Sequence, residues 1–232
     1  MFLFETHLHT SGCSDCAVST GYEMVDAAKQ AGYSGFCLTN HFLHGNTCVN
    51  RRLDWEDFVS VYTDDYLRTK EYGASKGITV LFGLEEVYMA GKEVLIYGVD
   101  PQAIKNNLQC KKMDIYEWSQ FVHENGGLTA AAHPFRSRIY IPKPDEPPVS
   151  GVFDVIEAYN HCNEASENEN AFRYAVENGL PVFSGGDVHL AGDFGRAGIA
   201  FDEKVTDSAG FVKAVRDKKY QLIINGAIRP LP

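Results

Sequence analysis

Short apolar runs recur along the chain at Phe2–Thr6, Gly35–Thr39, Ile78–Leu84, Val94–Val99, Leu128–Ala132, Val152–Tyr159 and Pro181–Gly185. They are nearly continuous in aliphatic and aromatic residues, which predicts strands covered on both faces. A late strand is expected near Ile199 or Leu222–Ile224. Helix signals fill the gaps. Thr20-Gly21-Tyr22-Glu23 reads as a capping box with Gly32 as its stop. Asp114 with Glu117, and Ser166 with Glu169, repeat the cap-and-acid spacing, while Trp55, Val59, Tyr62 and Tyr66 recur at helical spacing within Leu53–Tyr72. Strands alternating with helices predict a parallel α/β architecture, with a closed barrel and an open sheet both compatible. The run Ile141–Pro148 carries four prolines, at 142, 144, 147 and 148, and predicts a stiff surface loop close after His133.

Length and composition narrow this. A chain of 232 residues suits one domain, taken here as 1–232. Hydrophobic residues at 44% and charged residues at 22% exclude a largely disordered chain. With 31 acidic and 21 basic side chains the net charge is −10, which argues against a nucleic-acid groove and against anionic membranes. No apolar run approaches the ~20 residues of a spanning helix. Met1–Phe4 runs into Glu5, His7 and His9 without the basic start of a secretory leader. The six scattered cysteines read as reduced thiols, which places the protein in the cytoplasm. Cys13 and Cys16 form a C-x-x-C pair with no second pair to complete a zinc site, and read as incidental, with thiol chemistry left open.

The chemistry concentrates at strand ends. His7, His9, His41, His133 and His189 each follow an apolar run by a residue or two. In a parallel barrel those ends share one rim, where active sites lie. Residues two apart on extended chain point to one side, so His7/His9 and Asp187/His189 can each share an ion. Glu85 ends the third run, placed to bridge two ions, with Glu86 facing away. Taken singly, an H-x-H pair is a weak signal and Asp15 in its small-residue loop an ordinary turn residue. The joint pattern is far more specific.

As a set, His7-x-His9 with Ser14-Asp15, Thr39-x-His41, Gly83-x-Glu85, Ala132-His133-Pro134 and Asp187-x-His189 resemble the PHP family, named for polymerase and histidinol phosphatase, across roughly residues 3–200. The resemblance implies a distorted (β/α)7 TIM-like barrel carrying two or three divalent ions. By that analogy one ion takes His7, His9, Glu85 and Asp187, a second shares Glu85 and takes His133, and a third takes Asp15, His41 and His189. Two departures stand out. Asn40 occupies a position that is often Asp in the family, which alters the hydrogen bonds around a ligand but removes none. Many members also have a fourth-strand histidine; here Glu93 best matches that position, as an oxygen ligand or as an ordinary charged strand start.

A mixed histidine and carboxylate set suits Zn, Mn or Fe. Such ions bring the pKa of bound water from 15.7 towards ~7 and supply hydroxide as nucleophile. Arg136 and Arg196, after the His133 and His189 strand ends, are candidate phosphate holders. The expected function is hydrolysis of a small phosphorylated metabolite, a phosphomonoester. The alternatives are a phosphodiesterase or exonuclease on short oligonucleotides or dinucleotides, an amidohydrolase-like enzyme, and a non-catalytic metal-stabilised module.

Overall fold

Each apolar run overlaps a strand, and the capping signals at Thr20 and Asp114 start helices as predicted, each with its reciprocal hydrogen bonds formed. The structure, a computed structural model, describes residues 1–232. In chain order the elements are β1 (Phe2–Glu5), α1 (Gly21–Gln30), β2 (Tyr33–Leu38), α2 (Trp55–Lys76), β3 (Thr79–Met89), β4 (Lys92–Tyr97), α3 (Pro101–Lys105), α4 (Ile115–Glu124), β5 (Leu128–Ala132), β6 (Val155–Asn160), α5 (Ala165–Glu177), β7 (Val182–Gly185), β8 (Ala197–Phe201), α6 (Ser208–Arg216), β9 (Gln221–Ile224) and β10 (Ala227–Arg229).

One ten-stranded sheet runs in the order β10-β9-β8-β1-β2-β3-β4-β5-β6-β7. This replaces the expected sevenfold alternation with a curled half-barrel. Pairing is parallel only through β1-β2-β3 and β5-β6-β7. β3 overruns its predicted end to Met89 and turns back at Gly91, whose φ of +73° suits glycine, so β3 and β4 form an antiparallel hairpin with no helix between them. β8, β9 and β10 form an antiparallel meander. The two ends of the curl meet through side chains. The Gly198 N–H donates to Ser184 Oγ at 3.3 Å, the Ser184 hydroxyl donates to the Ile223 carbonyl, and the Tyr220 hydroxyl donates to the Val182 carbonyl at 3.0 Å.

Aromatic side chains plug the interior. Phe4, Tyr97, Phe183 and Phe211 pack with ring centroids 5.5 to 6.2 Å apart, and each contributes roughly 1.5–3 kcal/mol by burial. The Tyr97 hydroxyl donates to the Thr6 carbonyl at 2.9 Å, so the plug ends where the histidines begin. On the outer face, Trp55, Phe58 and Tyr62 of α2 clamp Phe42, the residue after His41.

One predicted cap is displaced. α5 starts at Ala165 rather than after Ser166, with the Glu164 N–H donating to Glu167 Oε2 at 2.9 Å. Glu167 is held there because its other oxygen accepts from the Ser137 N–H and from Arg138. The proline-rich run is irregular as expected, tied to β4 by Lys92, which donates to the Pro144 carbonyl at 2.9 Å.

Candidate metal centre

The β1 chain continues past Glu5 as an extended segment. Leu8 and Thr39 exchange hydrogen bonds on one side; on the other, the His9 N–H donates to the Val188 carbonyl and the Val188 N–H to the His7 carbonyl. Leu8 is thereby turned into the core, and His7 and His9 point together the opposite way, both fully buried. His41 bridges to Glu85 at the ends of β2 and β3. The β4 register sets Glu93 opposite Ala132, just before His133. Asp187 and His189 follow β7. His133 and Asp187 are non-glycine residues at positive φ, +28° and +51°. Such backbone costs of order 1–3 kcal/mol and concentrates at functional sites.

The result is a knot of donors about Glu85. His7 Nε2 lies 3.0 Å from His9 Nε2. Glu85 Oε1 lies 3.1 Å from His133 Nε2 and 3.4 Å from His7 Nε2, and Glu85 Oε2 lies 3.0 Å from His41 Nδ1 and 3.4 Å from His9 Nε2. Glu93 stands 3.5 Å from both His41 and His133. Asp187 Oδ1 is 3.2 Å from His9 and 3.4 Å from His7. Four sets of three ligand atoms lie within 4.8 Å of one another: His7, His9 and Glu85; His7, His133 and Asp187; His41, Glu85 and Glu93; and His9, His41 and His189.

The surrounding hydrogen bonds decide which ring nitrogens face inward. Glu157, fully buried, can only accept when ionised, and takes His7 Nδ1–H at 2.8 Å, leaving Nε2 bare. Ser14 Oγ donates to Asn40 Oδ1 at 2.9 Å and accepts the His41 N–H, so it is also positioned to accept from His9 Nδ1 at 3.2 Å. Asn40 is itself fixed by Thr10 and Asp65. His7 Nε2 and His9 Nε2 therefore face each other across 3.0 Å, and with both rings neutral neither has a proton to share. His41 Nδ1 and Glu85 Oε2, buried and equally close, make no hydrogen bond at all. Opposed lone pairs on largely buried side chains are the arrangement a cation resolves; the residues present fit divalent ions.

Without a cation, protons fill part of this set: burial opposes the charged imidazoles, but Glu157 and Asp187 raise His7 well above its usual value and Glu85 raises His41, so a bound ion would displace those protons. Burial opposes the Glu85 charge, but His7 and His41 hold its carboxyl well below the usual range. For Asp187 burial is likewise outweighed, by His7 and Arg136. Burial and the Glu85 charge push Glu93 up to about 8. Burial and His41 bring His9 down to about 3.

Eight of the nine predicted ligands thus converge: His7, His9, His41, Glu85, Glu93, His133, Asp187 and His189. Asp15 does not join them; its side chain is exposed. Cys16, also solvent-exposed, lines the cavity beside His41, with its Sγ 3.1 Å from His189 Nε2. The sequence signal for Cys16 was its C-x-x-C spacing, which pointed to the wrong partner, since Cys13 is buried against the Tyr62 carbonyl. Glu157 and Ser14, which orient the ligands, carried no motif.

Arg136 reaches the centre. Its Nη2 donates to Asp187 Oδ2 at 2.6 Å and to Asn160 at 2.9 Å, its Nε donates to Asn163, and its Nη1 makes no hydrogen bond. Arg136, Asn46 and Tyr140 line a cavity of about 420 Å³ above His41, Glu85, Glu93, His133, Asp187 and His189. Arg196 lies exposed, outside this cavity. Glu86 turns away as expected and binds the His44 N–H. His123 pairs with Asp154 on the surface, and His161 lies near Tyr159.

The architecture and the donor set define a curled α/β half-barrel able to hold metal. A family model described as PHP-associated matches residues 165–220. A two-domain protein from Bacteroides vulgatus containing a predicted PHP-like metal-dependent phosphoesterase superposes with TM-score 0.72 at 16% identity, over 98% of this chain. This chain spans only 66% of that protein. A metal-dependent phosphoesterase described as putative, from Bifidobacterium adolescentis, gives TM-score 0.60 at 15% identity over 93% of this chain and 96% of its own. An amidohydrolase from Chromobacterium violaceum with bound sulfate and no metal gives 0.55 at 14%, over 80% and 87%. No curated protein matches. At these identities the likeness is one of fold, and the family model covers residues 165–220 alone.

Proposed function

We propose that the chain is a metal-dependent phosphoesterase that hydrolyses a small phosphomonoester. The observation that carries this reading is the set of closely opposed donor atoms around Glu85, in a cavity that Arg136 also lines. His7, His9, Glu85 and Asp187 would hold one ion, and Glu85, Glu93 and His133 would serve a second. Divalent ions held there would supply Lewis acidity and acidify water near neutral pH.

The remaining roles belong to the chain. Arg136 is pinned by Asp187, Asn160 and Asn163, so its guanidinium is oriented before substrate arrives and Nη1 remains to donate to a phosphoryl oxygen. Glu157 holds His7 in one tautomer, and Ser14 holds His9. Tyr140 and Asn46 bound the cavity, whose volume lies within the ~300–1,000 Å³ of small-molecule sites. A net charge of −10 disfavours a long polyanion. Arg196 has no part in this assignment.

The test is turnover of a panel of phosphorylated metabolites, dinucleotide diesters and amides with Mn or Zn supplied. The reading expects monoesters to be preferred, and an Asp187→Ala/His189→Ala double variant to lose at least ~100-fold, the scale set by the loss of groups that merely orient ligands. Preference for diesters or amides, or full activity in the double variant, would overturn it.

A further inference from the structure

We propose that Cys16 is a thiolate ligand of one metal ion, completing the His9, His41 and His189 corner of the centre. This rests on the reading of the cluster as a metal centre and extends it to a sulfur donor. The family analogy puts Asp15 at this corner, whereas the loop brings the Cys16 sulfur to His189. Ser14 reaches His9 and Cys16, solvent-exposed at the lip of the cavity, reaches His189, while Asp15 belongs to none of the donor sets.

Three observations converge on the sulfur. The first is tautomeric. His189 Nδ1 lies 2.7 Å from the Asp187 carbonyl oxygen, which can only accept. The proton therefore sits on Nδ1, and the lone pair of Nε2 points at Cys16 Sγ, 3.1 Å away. The second is convergence. His9, His41 and His189 bring three ligand nitrogens within 4.8 Å of one another, with the His9 ring 4.5 Å from each of the other two. The third is placement: Cys16 lines one cavity with His41 and His189, and His41 Nδ1, turned to Glu85 at 3.0 Å, is itself without a hydrogen bond. His41 and His189 with the thiol make a mixed nitrogen and sulfur set beside His9, whose inward nitrogen serves the first ion, and thiolate with imidazole favours Zn or Co over Mn. Cys16 would thus make this corner softer than an all-oxygen and nitrogen set. Binding the ion displaces the thiol proton to solvent and involves no redox change.

The test replaces the ion with Co(II) in the full-length protein and reads its absorption. Thiolate ligation adds a near-ultraviolet sulfur-to-Co(II) charge-transfer band to the visible d–d bands. The expected result is a band in the wild type that survives in Cys162→Ser, the other thiol near the centre, and is lost in both Cys16→Ser and Cys16→Asp while d–d bands remain. In competition, Cys16→Asp should shift the Zn-to-Mn preference towards Mn by more than tenfold. Wild-type d–d bands without charge transfer, or a band that survives Cys16→Ser, would overturn the thiolate ligand and leave the metal centre standing. Failure of the wild type to bind Co(II) would overturn both.

Discussion

Glu5 carries the clearest consequence at the scale of single residues. It is fully buried beneath the histidines; its Oε1 accepts from the Thr6, His7 and Gly186 N–H groups and its Oε2 has no partner. Burial outweighs those bonds and pushes its carboxyl up to about 8 from 4.5. In metal-free protein the folded chain therefore holds a proton that the unfolded chain loses above 4.5. This group's contribution is neutral below that pH and increasingly destabilising up to about 8, at no more than roughly 1.4 kcal/mol per pH unit. Glu5→Gln should be isosteric and free of that penalty. Denaturant melts should show its stability advantage widening from pH 5 to 8 and then levelling; a constant difference would contradict the assignment. Glu157 gives a second case. Its grip on His7 Nδ1 fixes the inward lone pair, so Glu157→Gln should weaken metal affinity by about 10–100-fold in chelator competition. Unchanged affinity would remove Glu157 from the account.

At the scale of elements, the donor set depends on how strand ends abut. A Cβ on Gly185 would stand 2.1 Å from Glu157 Oε1 and 2.8 Å from His7 Cβ, so Gly185→Ala should displace both. The expected outcome is a folded protein, by circular dichroism, with metal content sharply reduced; full retention would show that β7 does not position β1. What could be read from the chain follows the same divide. α1 and α4 were legible because their caps use residues within three positions of each other. The α5 cap was not, because Glu167 is chosen by contacts with Ser137 and Arg138 some 30 residues away. His7, His9 and Glu85 were legible because extended chain fixes their direction, while Asp187, at a φ of +51°, is turned in by the bend after β7. Asp15, Cys16 and Arg196 lie in loops, where direction depends on tertiary bonds such as the Asp15 N–H to the Asn46 carbonyl. The β3-β4 hairpin was missed because its signal, a turn at Ala90-Gly91, lies beyond the apolar run that marked the strand.

For the whole molecule, buried carboxylates and imidazoles packed without a cation represent a strain that binding relieves. Ions that bind only the folded chain stabilise it by about 4 kcal/mol at a thousandfold excess over Kd. Thermal melts should therefore show a lower midpoint after chelation and recovery on adding Zn or Mn, with no such response in Asp187→Ala/His189→Ala. The net charge of −10 belongs to this scale too, since acids gathered at the rim become tolerable once cations sit among them. No helix is long and apolar enough to cross a membrane. The most direct test of the account is elemental analysis of protein purified without chelator. It predicts more than one transition-metal ion per chain, falling in the Asp187→Ala/His189→Ala variant. A metal-free wild type that also fails to take up Zn, Mn or Fe, or an undiminished content in that variant, would contradict it.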